Sequence, residues 1–183
     1  MNNLTHSEKI LQNLGITKPE EIDLEAIAWT QNVRIKRRLL NGCEARIIGT
    51  KDTAMISVDS RVNPQRQRFS IAHELGHWNN DRGQNYFCSS DDIQSNFKNS
   101  KFAEKLANRF AANLLLPDYL LIPIIGGIDD FTWETVRGVA NEFRTSLTAT
   151  AIRMMESNEF PSILLSYEGT KRKWFIRTSQ VPE

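Results

Sequence analysis

The five residues His73-Glu74-Leu75-Gly76-His77 constrain this chain more than any other stretch. On a helix of 3.6 residues per turn, His73 and His77 stand one turn apart on the same face, and two imidazoles at that spacing reach one metal ion. Glu74 lies within reach of a metal-bound water but is poorly placed to be a ligand. The chemistry indicated is zinc-assisted hydrolysis with Glu74 as general base. The same residues also fit a polar turn of an amphipathic helix with solvated or hydrogen-bonded histidines. Their setting has to decide.

That setting is a long, apolar helix with a strong start. Asn63-Pro64 supplies an N-cap and a proline at the first helical position. Ile71, Leu75 and Trp78 recur at i, i+4 and i+7, and the pattern runs to about Asn79. Small Ala72 and Gly76 leave room for another helix or a substrate to approach. A histidine pair in such surroundings needs polar partners.

A catalytic zinc takes three protein ligands and keeps one position open. Six positions beyond His77, where several zincins place a third histidine, stands Gly83. The next candidate is the helix expected over Lys101 to Leu116. There Leu106, Phe110 and Leu114 mark an apolar stripe, and Ala103, Ala107 and Ala111 form a small-residue seam. Glu104 beside that seam could complete a His, His, Glu set, with Asn108 one turn later orienting a ligand. From the residues alone, Glu104 reads more readily as an ordinary surface glutamate than as a ligand.

Two blocks settle the resemblance. Phe69-x-x-Ala72-His73-Glu74-Leu75-Gly76-His77 is followed by Glu104-x-x-Ala107-Asn108-x-Phe110-Ala111-Ala112-x-Leu114-Leu115-x-Pro117. Together they resemble the ImmA/IrrE family of metallopeptidases; the one departure is Leu116, where methionine is common. The likeness extends more weakly from the Asp23 helix to the end of the chain. It implies a zinc metallo-endopeptidase with a gluzincin-like helix pair. One zinc ion would be held by His73, His77 and Glu104, and Glu74 would be the catalytic glutamate. The family's targets are helix-turn-helix repressors, cut in phage, mobile-element or stress-response switches.

Elsewhere the chain reads as scaffold. Thr5 and Glu8 form a capping box, Gly15 ends that helix, and Asp23 caps a second over Leu24 to Thr30. His6 reads as solvated. Val33 to Arg37, Ala45 to Gly49 and Thr53 to Val58 read as strands. The Asn41-Gly42 turn signal suggests an antiparallel three-stranded sheet. The cations Arg34, Lys36, Arg37 and Arg38 suit a solvated strand face or a guarded edge. Residues 79–100 read as a long polar loop of the sort that shapes a cleft. Thr132 caps a helix through Phe143, and Ser146 caps another through about Glu156. Their spacing is that of a helix-turn-helix, but only Arg153 on the second helix could contact DNA. A hairpin closes around Glu168-Gly169-Thr170.

The expected fold is thus α+β. Residues 1–130 form a mainly helical, zincin-like core with a small antiparallel sheet. Residues 131–183 form a helix pair and hairpin packed on it. A net charge of +1 gives no bulk case for nucleic acid or membrane. Cys43 and Cys88, in a chain with no export signal or spanning segment, read as free thiols of a cytoplasmic protein. The protein substrate expected is a repressor. Tyr86, Tyr119, Tyr167 and Arg46 are candidates for stabilising an oxyanion. Two rivals remain: a non-catalytic repressor- or DNA-binding module using the C-terminal helices, and a deformylase-like hydrolase with Cys43 as third ligand.

Overall fold

In a computed structural model the chain is described over residues 4–80 and 97–182. Gly83, Tyr86 and Cys88 lie outside these residues. The chain forms two compact units, residues 1–117 and 118–183.

The first unit opens with α1 (His6–Asn13), closed by the expected capping box. The Glu8 carboxylate accepts the Thr5 backbone N–H at 2.8 Å, and the Thr5 hydroxyl accepts the Glu8 N–H at 3.4 Å. Gly15 then takes a φ of 73°, the left-handed conformation glycine adopts without strain. Helix α2 (Leu24–Thr30) is capped by the Asp23 carboxylate and buries Leu24, Ile27 and Ala28.

Strands β1 (Val33–Arg38), β2 (Ala45–Gly49) and β3 (Ala54–Asp59) form one sheet. Its order is β1-β3-β2, with β1 parallel and β2 antiparallel to β3. The expectation of an all-antiparallel sheet is therefore corrected. The Asn41-Gly42 signal does mark a turn, and Gly42 has a φ of 80°, but the strands it joins do not pair. The reason lies in the side chains. β3 carries Ala54, Ile56 and Val58 on its core face and takes the middle, where both edges of its backbone are bonded. The cation-rich β1 takes one edge, as expected for a strand that must resist further pairing, and β2 takes the other.

Helix α3 (Pro64–Asn80) starts where the Asn63 side chain accepts the Arg66 backbone N–H at 2.8 Å. It packs along α4 (Phe97–Leu115), which begins about one turn earlier than the sequence pattern suggests. Ala103, Ala107 and Ala111 are buried, as the small-residue seam implied. A β-carbon on Gly76 would stand 2.8 Å from the Ala107 Cα and 3.2 Å from the Phe110 Cβ. A β-carbon would not fit there without a shift, so the two helix backbones approach closely.

The second unit contains α5 (Asp118–Ile125), α6 (Trp133–Phe143), α7 (Leu147–Glu156) and the hairpin β4 (Ile163–Glu168) with β5 (Lys171–Arg177). α5 replaces the irregular connection that Pro123 and the following glycines suggest; the helix absorbs Pro123 and buries Leu120, Leu121 and Ile125. α6 and α7 carry the Thr132 and Ser146 caps and meet at Arg144, which is left-handed at φ 54°. Arg153 on α7 bonds Asp118 at 2.8 Å and Glu156 at 3.0 Å, with its side chain 11% exposed. The one cation on α7 is thereby paired with two carboxylates. No helix among the described residues is long and apolar enough to cross a membrane.

Candidate metal centre

Three side chains converge where α3 and α4 cross. His73 Nε2 lies 3.3 Å from Glu104 Oε2, His77 Nε2 lies 3.2 Å from Glu104 Oε1, and the two Nε2 atoms are 3.1 Å apart. Among the described residues these three form the one group of His, Cys, Asp or Glu donors close enough to share an ion. His77 is buried, His73 is half-buried, and Glu104 is exposed, so the group opens to solvent on the α4 side.

The donor set fits a small tetrahedral cation. Bonds of about 2.0–2.1 Å in that geometry separate neighbouring donor atoms by roughly 3.3 Å. The three observed separations are within about 0.2 Å of that figure. The tautomer fits as well. His73 Nδ1 lies 3.0 Å from Asn108 Oδ1, an acceptor, so Nδ1 carries the proton and Nε2 presents its lone pair. Burial, then the neighbouring His77, hold the His73 imidazole below its ordinary pKa, which favours the neutral, ligating form.

Glu74 stands beside this group with a different environment. It is 4% exposed, and its Oε2 has no hydrogen-bond partner among the described residues. The Ile47 backbone N–H on β2 faces its carboxylate and draws its pKa down. Burial pushes the carboxyl up to about 7, against the opposing pull of His77 and Ile47. A buried carboxylate with one oxygen unbonded costs free energy unless a water or substrate group meets it. A group poised near neutrality is also suited to taking and returning a proton.

An open cleft of about 320 Å³ runs from this centre along α3. Glu44 and Ala45, leading into edge strand β2, form one side; Arg66, Phe69 and Ser70 of α3 form another. Sequence reasoning missed Ile47, because a backbone N–H has no residue signature. It missed Glu44 and Arg66 because their pairing spans 22 residues.

Arg46 pairs in register with Ser57, on the sheet face opposite that of Ile47 and Ile56, and does not line the cleft. Tyr119 and Tyr167 belong to the second unit. Tyr86 lies outside the described residues. Cys43 is a half-buried free thiol and is not among the converging donors. His6 is exposed and bonds Asn79 at 3.3 Å.

A family model described as the IrrE N-terminal-like domain, peptidase family M78, matches residues 11–155. Among solved structures the fold is similar to that of a Mycobacterium tuberculosis transcriptional regulator, with a TM-score of 0.65 at 18% identity. The alignment covers 97% of this chain and 54% of that one, so this chain spans about half of the regulator's length. No curated protein matches the chain.

Proposed function

The chain belongs to the IrrE N-terminal-like family of peptidases, and on that premise we propose that it is a zinc-dependent endopeptidase that cleaves a helix-turn-helix repressor. The observation that carries the reading is the convergence of His73, His77 and Glu104 beside a buried Glu74 oxygen with no partner among the described residues. A zincin-like pairing of α3 with α4 produces it.

His73, His77 and Glu104 would hold the ion. When bound there, zinc would supply Lewis acidity, polarising a scissile carbonyl and lowering the pKa of a water. Asn108 fixes the ring orientation and tautomer of His73. The Ile47 N–H faces the Glu74 carboxylate, whose Oε2 is left to take a proton from the attacking water and return it to the leaving amine. Edge strand β2 supports binding of an extended peptide, since its outer edge lies next to Glu74. The repressor target is what the family resemblance implies. A soluble intracellular setting suits it.

The test incubates the zinc-loaded chain with helix-turn-helix repressors from the same genome and follows fragments by mass spectrometry. Wild type is expected to cut at one or a few bonds, and Glu74→Gln to leave the repressor intact. Equal cleavage by the two proteins sinks the mechanism. The neutralised Arg153 disfavours the alternative of a DNA-binding module on α6 and α7.

A further inference from the structure

The cleft beside the metal centre holds an ion pair that the mechanism above does not use. Arg66 stands seven residues before His73 on α3, so the two share a helix face two turns apart. Its Nε donates to Glu44 Oε2 at 2.5 Å. The same Glu44 oxygen lies 3.4 Å from the Ser70 hydroxyl, and the Arg66 guanidinium sits 5.6 Å from the centre of the Phe69 ring. The arginine is thus held at its Nε and along its face. Its two terminal NH2 groups have no partner among the described residues, and the side chain is 54% exposed. The pair sits at the first turn of α3, the positive end of that helix dipole.

We propose that Arg66, oriented by Glu44, is a specificity residue that reads a carboxylate of the substrate next to the scissile bond. The proposal rests on the peptidase reading. A guanidinium anchored through Nε presents a planar fork of N–H donors, and a carboxylate is the group that matches it with two parallel bonds. Lysine cannot reproduce that geometry. The cleft is continuous from Arg66 to His73 and Glu104, so a peptide with its carbonyl at the metal centre would run past the fork. Two sources supply such a carboxylate: an Asp or Glu side chain, or a free peptide C-terminus. Glu44 acts as a positioning residue and as a counter-charge that keeps the empty cleft from collecting stray anions.

The experiment has a binding arm and a cleavage arm. In the first, fluorescein-labelled peptides carrying Asp, Asn or Lys at stepped positions, each with a free or amidated C-terminus, are titrated with zinc-loaded Glu74→Gln by fluorescence anisotropy. The Asp peptides are expected to bind about 10-fold or more tightly than the Asn peptides, and added Arg66→Ala or Arg66→Lys to abolish the difference. A preference for Asp over Asn that survives amidation assigns the carboxylate to a side chain; a preference for free over amidated C-termini, alike in the Asp and Asn peptides and lost with Arg66→Ala, assigns it to the C-terminus. Glu44→Gln is expected to keep or raise the preference. A purely structural ion pair would instead make Glu44→Gln and Arg66→Ala behave alike, which overturns the proposal, as does equal binding of all peptides. In the second arm, kcat/KM for the same peptides is compared between wild type and Arg66→Ala. Failure of wild type to cut any peptide counts against the peptidase reading, while the binding arm still decides the role of Arg66.

Discussion

A side-chain carbon on Gly76 would stand 2.8 Å from the Cα of Ala107, well inside van der Waals contact. This one missing methyl sets the separation of α3 and α4. It thereby sets the distance from His77, the next residue on α3, to Glu104, one turn before Ala107 on α4. Gly76→Ala is expected to push the helices apart and to cost about 1–3 kcal/mol of stability, the usual penalty of overpacking. Urea unfolding measures the first effect. A parallel loss of zinc affinity, measured by chelator competition, links the contact to the site; unchanged affinity would separate them.

Removing a donor is expected to weaken metal binding far more than removing the base. His77→Ala and Glu104→Ala should each lower zinc affinity by more than about 100-fold, beyond the range seen for residues that only orient a ligand. Glu74→Gln should bind zinc like the wild type and fail to cut protein. Equilibrium dialysis with metal analysis distinguishes these patterns.

Asn108 touches the group only through His73 Nδ1. Asn108→Leu, which fills similar space without an acceptor, is expected to reduce zinc affinity by about 10–100-fold without unfolding the chain. Asn108→Asp, which keeps an acceptor, should retain most of it. Identical behaviour of the two variants would remove Asn108 from this role.

Asp59 gives the fold an acid-sensitive tie. Hydrogen bonds from the Arg61 side chain, then from its backbone N–H, hold the Asp59 carboxyl down from 3.8 to about 2. A group with a depressed folded-state pKa contributes stability that is fully present above its unfolded value. That contribution fades as pH falls from about 4 toward 2. Asp59→Asn should therefore lower stability at pH 6 and flatten the acid limb of a stability profile in that window. A limb of unchanged slope would show that other carboxylates govern it.

Much of the first unit was legible in local sequence. Thr5 with Glu8, Asp23 and Asn63-Pro64 announced three helix starts, because a cap is written within four residues. Gly76 and the alanine seam announced a close helix approach before the partner was known. The sheet order was not legible. Asn41-Gly42 fixes a turn, but which strand takes the centre depends on competition among β1, β2 and β3 for the α3 face. α5 was not legible, since Pro123 weighs heavily in a short window and light in a packed helix. At the site, the histidine pair was plain from spacing, whereas Glu104 needed the second block of the resemblance. Ile47 contributes only backbone and leaves no trace in any motif.

The Ile47 N–H on β2 faces the proposed base, so the sheet edge and Glu74 are neighbours. A peptide laid along β2 would lean on the very strand whose backbone faces the carboxylate. Docking and proton transfer would then share a mechanical element: pressing on the strand moves the base. Reactivity could be raised or silenced from the sheet, by whatever stiffens or bends β2, with all three metal donors left as they are.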